Sequence, residues 1–202
     1  MKKYLALGDS YTCGTAILPE ECFPRQLATL LMTDEPNIIA ERGWTAQELA
    51  IAMEVADVYP PYDLVTLLIG VNDQTDVEAK GTSPETYKSI FAYVLQTAIW
   101  LAGGDPRRVF VLSIPDWSVT PFAKSLDKVN VSVDIKHYNS ICKIETNAAG
   151  ACFVDVDDLV GLAAGDSTLV AADSLHFSAK MYELWAERLA QKVSDEAILQ
   201  VG

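Results

Sequence analysis

Ser10 ends the stretch L-A-L-G-D-S, where an apolar run stops abruptly at a glycine, an acid and a serine. A serine hydroxyl becomes a useful nucleophile beside a base of near-neutral pKa, and histidine is the usual one. The chain has two histidines. His137 lies in V-D-I-K-H-Y-N-S-I-C-K-I, where Ile135, Tyr138, Ile141 and Cys142 form the apolar stripe of a helix and His137 falls beside it, as a surface residue does. His176 instead follows Asp173 by three residues in A-D-S-L-H-F-S. That spacing lets a carboxylate accept the Nδ1 proton of the imidazole, leaving Nε2 to take a proton from Ser10. Attack on an acyl carbonyl also needs donors where its oxygen becomes an anion. Three are on offer: the backbone N–H groups of Ser10 and Gly43, and the side-chain amide of Asn72. Gly43 has no side chain to obstruct a substrate, and Asn72 brings an NH₂ without a charge.

Each of these signals has a plainer meaning when taken singly. Gly-Asp-Ser after a strand makes a turn and a helix cap. It lacks the glycines of a G-x-S-x-G elbow, and no Gly-Lys-Ser/Thr makes it a phosphate loop. Asn72, close after Gly70, suits a left-handed turn, while Asp173 and His176 suit an exposed acid and a helix-entry histidine.

The elements that would carry these residues decide between the two meanings. Short apolar runs at 4–7, 37–40, 64–69, 109–114 and 152–156 read as strands, and consecutive apolar positions imply burial on both faces, as in a parallel sheet covered by helices. Helical patterns lie between them. The clearest opens at Ser83-Pro84-Glu85, with Ser83 as N-cap, and continues through Tyr87, Ile90, Phe91, Val94, Leu95 and Ala98 until Gly103-Gly104 stops it. The last carries Met181, Leu184, Trp185, Leu189 and Val193 on one face. Strands alternating with helices predict an α/β fold with right-handed crossovers. In such a sheet ligands bind beyond the carboxyl ends of the strands. Ser10 follows the first run, Gly43 the second, Asn72 the third, and Asp173 and His176 the fifth, so all are expected at one edge. The connection at 115–130, with Trp117 and Phe122, reads as a long loop suited to a substrate wall or to an ordered surface.

At 202 residues and 50% hydrophobic content, one domain over 1–202 with a sizeable core is expected. A net charge of −13 repels phosphate backbones and anionic headgroups, which argues against nucleic acid and membrane surfaces as partners. Cys13, Cys22, Cys142 and Cys152 form no C-x-x-C pair and no zinc-type cluster. Buried thiols are expected, with a Cys13–Cys22 disulfide as the alternative. The start M-K-K-Y-L-A-L-G-D-S is too short for a signal peptide, and no run reaches the roughly 18 to 20 apolar residues of a membrane span. The expectation is a cytoplasmic protein without membrane insertion, or a secreted one whose leader has been removed, with a monomer as the default.

Taken together the blocks resemble those of the SGNH hydrolases, also called the GDSL esterase/lipase family. G-D-S-Y at 8–11 resembles the first block, R-G-W-T at 42–45 the second, G-V-N-D at 70–73 the third and D-S-L-H at 173–176 the last. The resemblance implies a flavodoxin-like three-layer α/β/α sandwich with a five-stranded parallel sheet, and ester or thioester hydrolysis through an acyl-enzyme without a cofactor or metal. Ser10, Asp173 and His176 would form the triad, and Ser10, Gly43 and Asn72 the oxyanion hole. Tyr11 stands where the family name has leucine, and the second block lacks the asparagine often found ahead of its glycine; both departures bear on substrate selection.

The expected partner is a small-molecule ester, with short acyl or O-acetyl groups favoured and a lysophospholipase or thioesterase type as the alternative. Tyr11, Trp44, Trp117 and Phe122 are candidate pocket residues; Trp44, Trp117 and Phe122 suit an acyl wall, a sugar platform or core packing alike. From other classes, a non-catalytic carbohydrate-binding module would keep the same pocket. A metal-dependent phosphoesterase would use Asp9, Asp73, Asp173 and His176. The acids at 155–158 suggest calcium only weakly, since Val160 stands where an EF-hand loop needs glycine.

Overall fold

The computed structural model describes residues 2–75, 82–125 and 128–199. The five apolar runs form strands β1 (Tyr4–Gly8), β2 (Asn37–Ala40), β3 (Leu64–Leu68), β4 (Val109–Leu112) and β5 (Cys152–Val154). They pair in the order β2-β1-β3-β4-β5, every pairing parallel. Every residue of β1, β3 and β4 is buried, which is why these segments show no polar alternation, while the edge strands β2 and β5 are only partly covered. The polar exception in the centre, Thr66, is satisfied by the Tyr4 hydroxyl at 2.8 Å.

The helices are α1 (Ser10–Cys13), α2 (Phe23–Leu31), α3 (Ala46–Val55), α4 (Val71–Thr75), α5 (Pro84–Leu101), α6 (Lys128–Ala148), α7 (Asp157–Gly161) and α8 (Ala179–Asp195). Helix α2 packs on α8; α3 packs on α5, and α5 on α6. These two groups and the sheet make the three-layer sandwich. Helix α5 opens as its sequence predicts: the Ser83 side chain accepts the Thr86 N–H at 3.2 Å, and Tyr87, Phe91, Val94, Leu95 and Ala98 are buried. On α6, Ile135, Tyr138 and Cys142 are buried and His137 is exposed.

One expectation needs revision. The connection at 115–130 is not plain loop: short 3₁₀ turns occupy Trp117–Val119 and Pro121–Ser125, and α6 starts at Lys128, with residues 126 and 127 outside the described residues. The first turn is set locally, because the Asp116 carboxylate accepts the Ser118 N–H at 3.0 Å. The four cysteines are all free, as expected, with Cys22 and Cys142 buried and Cys13 and Cys152 half-buried; the alternative Cys13–Cys22 disulfide does not form. The Cys13 thiol points instead toward the Ser10 carbonyl and Thr15.

The strand order has one consequence for the site. The connections leaving β1 and β3 run toward opposite sides of the sheet, and such a switch point leaves a crevice between the two carboxyl ends. Ser10 stands at one lip of it and Asn72 at the other.

Candidate active site

Ser10 is delivered by a strand that turns directly into a helix. Gly8 makes this turn possible: a Cβ there would lie 2.4 Å from the Leu68 carbonyl and 2.1 Å from Thr12 Oγ1, so a larger residue would push α1 off the strand end. Asp9 caps α1 by accepting the Tyr11 N–H at 3.0 Å. Ser10 is then the first helical residue, and its own N–H has no acceptor within the helix. Burial pushes the Asp9 carboxyl up to about 8; the Tyr11 N–H works against this and the nearby Asp73 carboxylate adds to it.

Asp173 and His176 sit on a tight loop tied by the Ala171 N–H to the His176 carbonyl at 2.8 Å. One carboxylate oxygen of Asp173 accepts the backbone N–H groups of Leu175 and His176, at 3.0 and 2.9 Å. The other lies 2.6 Å from His176 Nδ1. Burial alone would raise the Asp173 carboxyl, but the N–H groups of Leu175 and His176 and the imidazole outweigh it and hold it below the usual range. An ionised carboxylate only accepts, so Nδ1 is the donor in this contact and Nε2 is the ring nitrogen left outside it. Aromatic packing fixes the ring: Tyr11 lies 5.4 Å from His176 and 5.8 Å from Phe177, and Phe177 packs on Trp185.

The Asn72 side of the site is built from α4 and the turn after β2. Asn72 donates one amide hydrogen to the Trp44 carbonyl at 2.8 Å, which orients the amide and leaves its second hydrogen for the cavity. The next residue, Asp73, accepts the Ala46 N–H at 2.9 Å. The two bonds pin the Gly43 turn against α4. Gly43 has φ +85°, a left-handed conformation that side chains rarely adopt, and no atom lies within 4 Å of where its Cβ would be.

Ser10, Asn72 and His176 all open onto one cavity of about 210 Å³. Its apolar walls are Tyr11, Val71, Trp117, Phe122 and Leu175, with Thr75 beside them. Three of the four aromatic candidates thus reach it. Trp44 is placed differently: its ring is partly buried against the core and its carbonyl does the work. Val71, Thr75 and Leu175 are additions that the sequence reading left out. Helical spacing after Gly70 would have found the first two, because positions 71, 72 and 75 share a face. The residues that a metal site would use do not assemble; among the described residues no three His, Cys, Asp or Glu side chains gather as a metal would require. No described helix is long and apolar enough to cross a membrane.

Comparison with known proteins agrees with this architecture. No curated protein matches the sequence. Among solved structures, a lipase/acylhydrolase from Enterococcus faecalis superposes with a TM-score of 0.72 at 21% identity, covering 99% of this chain and 98% of the other. TesA gives a TM-score of 0.74 at 16% identity, over 96% and 99% of the two chains. Axe2, an acetylxylan esterase from Geobacillus stearothermophilus, gives 0.70 at 16% identity, over 95% and 94%. The GDSL-like lipase/acylhydrolase family model matches residues 6–184, and the chain belongs to that family.

Proposed function

We propose that this chain, by its family a hydrolase of ester bonds, is a serine esterase that works through an acyl-enzyme and prefers short acyl or O-acetyl groups. The observation that carries the reading is the Asp173–His176 pair at 2.6 Å, opening onto the same small cavity as Ser10 and Asn72. Nε2 of His176 takes the Ser10 proton as Oγ attacks the ester carbonyl. The oxygen becomes an anion facing the Ser10 N–H and the Asn72 amide, with Gly43 the third donor that the family resemblance implies, and preorganised donors of this kind are each worth about 3 to 4 kcal/mol. The protonated imidazole then gives its proton to the alcohol oxygen, the C–O bond breaks, and the acyl group stays on Ser10. A water molecule, deprotonated by the same Nε2, releases the acid and restores the serine.

Cavity size supports the short-acyl preference. Pockets that enclose drug-sized ligands run from about 300 to 1,000 Å³, and this one holds about 210 Å³. The Axe2 neighbour, which is an acetylxylan esterase, is in keeping with this at the level of fold. Hydrolysis rates across acetyl, butyryl and octanoyl p-nitrophenyl esters and an acetylated sugar test the reading. The acetyl compounds are expected to be fastest; an octanoyl optimum would contradict it.

A further inference from the structure

Trp117 and Phe122 adjoin in the cavity wall, 6.1 Å between ring centroids, but they are anchored to different sides of it, Trp117 to Gln74 on α4 and Phe122 to the loop that carries His176. Around the carbon under attack, one direction is taken by Ser10 Oγ and one by the oxyanion, which faces Asn72. A third must point the alcohol oxygen at His176, because that oxygen receives the proton as it leaves. The alcohol therefore lies toward His176, Leu175 and Phe122. That leaves the acyl group the α4 side of the cavity, where Val71 and Thr75 flank Asn72 and Trp117 is bonded to Gln74.

The two rings differ in exposure. Phe122 is 51% exposed, and its N–H donates to the Ser174 carbonyl at 2.9 Å, so it forms an open rim fixed to the loop that carries Asp173 and His176. Trp117 is only 5% exposed. Its indole N–H donates to Gln74 Oε1 at 3.2 Å, and Gln74 is itself buried on α4, two residues after Asn72. An indole in an apolar wall without that acceptor would bury an unsatisfied donor, so the bond selects one ring orientation. Nothing in the triad or the oxyanion donors requires the pair.

Resting on the esterase reading above, we propose that Trp117 is the stop that limits acyl-chain length, and that Gln74 is the positioning residue that holds it there, while the alcohol side stays open to a bulky group. The substrate class is then a short-chain acyl ester of a large alcohol. Gln74 touches no substrate atom in this account and acts through the indole.

The test uses p-nitrophenyl acetate and p-nitrophenyl octanoate, which share one alcohol, and reads the ratio of their kcat/KM values. Trp117→Ala is expected to raise the octanoate/acetate ratio by at least about tenfold, since one methylene fitted or refused by an apolar pocket changes kcat/KM by about tenfold or more. The gain should appear as a lower KM for octanoate. Gln74→Leu, similar in size and without the acceptor, should move the ratio in the same direction by less, and it carries the test if Trp117→Ala does not fold. Gln74→Glu keeps an acceptor oxygen and should hold the wild-type ratio. Ser10-dependent turnover with an unchanged ratio in the folded Trp117→Ala or Gln74→Leu protein would overturn this proposal and leave the esterase reading intact. Absence of turnover of every ester by the wild-type protein would overturn both.

Discussion

Asp173 holds His176 twice: Oδ2 lies 2.6 Å from Nδ1, and Oδ1 accepts the His176 backbone N–H at 2.9 Å. The same carboxylate thus shapes the loop and fixes the imidazole tautomer. Asp173→Asn separates these roles, because an amide oxygen can still accept the backbone N–H groups while the side chain no longer enforces a proton on Nδ1. We expect a fall in kcat of about 10⁴-fold, the size seen when a triad carboxylate becomes an amide, with the melting temperature little changed. His137→Ala is the matched control. That residue is exposed on α6 against Tyr138, and its loss should leave activity at the wild-type level. Wild-type turnover by Asp173→Asn, or a large loss from His137→Ala, would show that the wrong histidine has been assigned.

In the proposed reaction Asn72 is an oxyanion donor, and its amide is oriented by the bond to the Trp44 carbonyl. Asn72→Ala is expected to lower kcat by about 10²- to 10³-fold with little change in KM, as for other oxyanion donors. A loss confined to KM would place Asn72 in ground-state binding instead.

The buried Asp9 carboxyl predicts a stability that falls as the pH rises. Its carboxyl is pushed up to about 8 in the fold, chiefly by burial, against about 3.9 in an unfolded chain. The folded state therefore keeps a proton that the unfolded state releases. Stability from this group is complete below about pH 4 and is lost as the pH rises toward 8, by up to about 1.4 kcal/mol per pH unit. Asp173, held low, acts in the opposite sense: its contribution is present above pH 4 and is lost as the pH falls further. Asp9→Asn keeps an acceptor for the Tyr11 N–H and removes the titration. Melting temperatures measured from pH 5 to 8.5 should fall more steeply for the wild-type protein than for Asp9→Asn; parallel curves would contradict the assignment.

Much of this arrangement was legible in the residues, and the rest was hidden for identifiable reasons. Consecutive apolar residues marked β1, β3 and β4 because burial on both faces leaves no alternation to misread. Helical spacing separated His137 from His176. The Trp44 side chain was harder, because residue type does not tell which way a side chain leaves a left-handed turn such as the one at Gly43. The Gln74–Trp117 bond had no local signal at all: its two neutral polar groups lie 43 positions apart. Cys13 and Cys22 flank one loop, which left a disulfide open beside the favoured free thiols; both thiols are free, with Cys22 buried at the N-terminal end of α2.

The central claim, that Ser10 is a nucleophile activated by His176, is tested most directly by a fluorophosphonate probe read by intact mass and peptide mapping. The wild-type protein should gain one adduct, located on Ser10. Ser10→Ala, folded, should gain none and should not hydrolyse p-nitrophenyl acetate, and His176→Ala should label far more slowly. An unlabelled wild-type protein, an adduct on another residue, or ester turnover that survives Ser10→Ala would contradict the account.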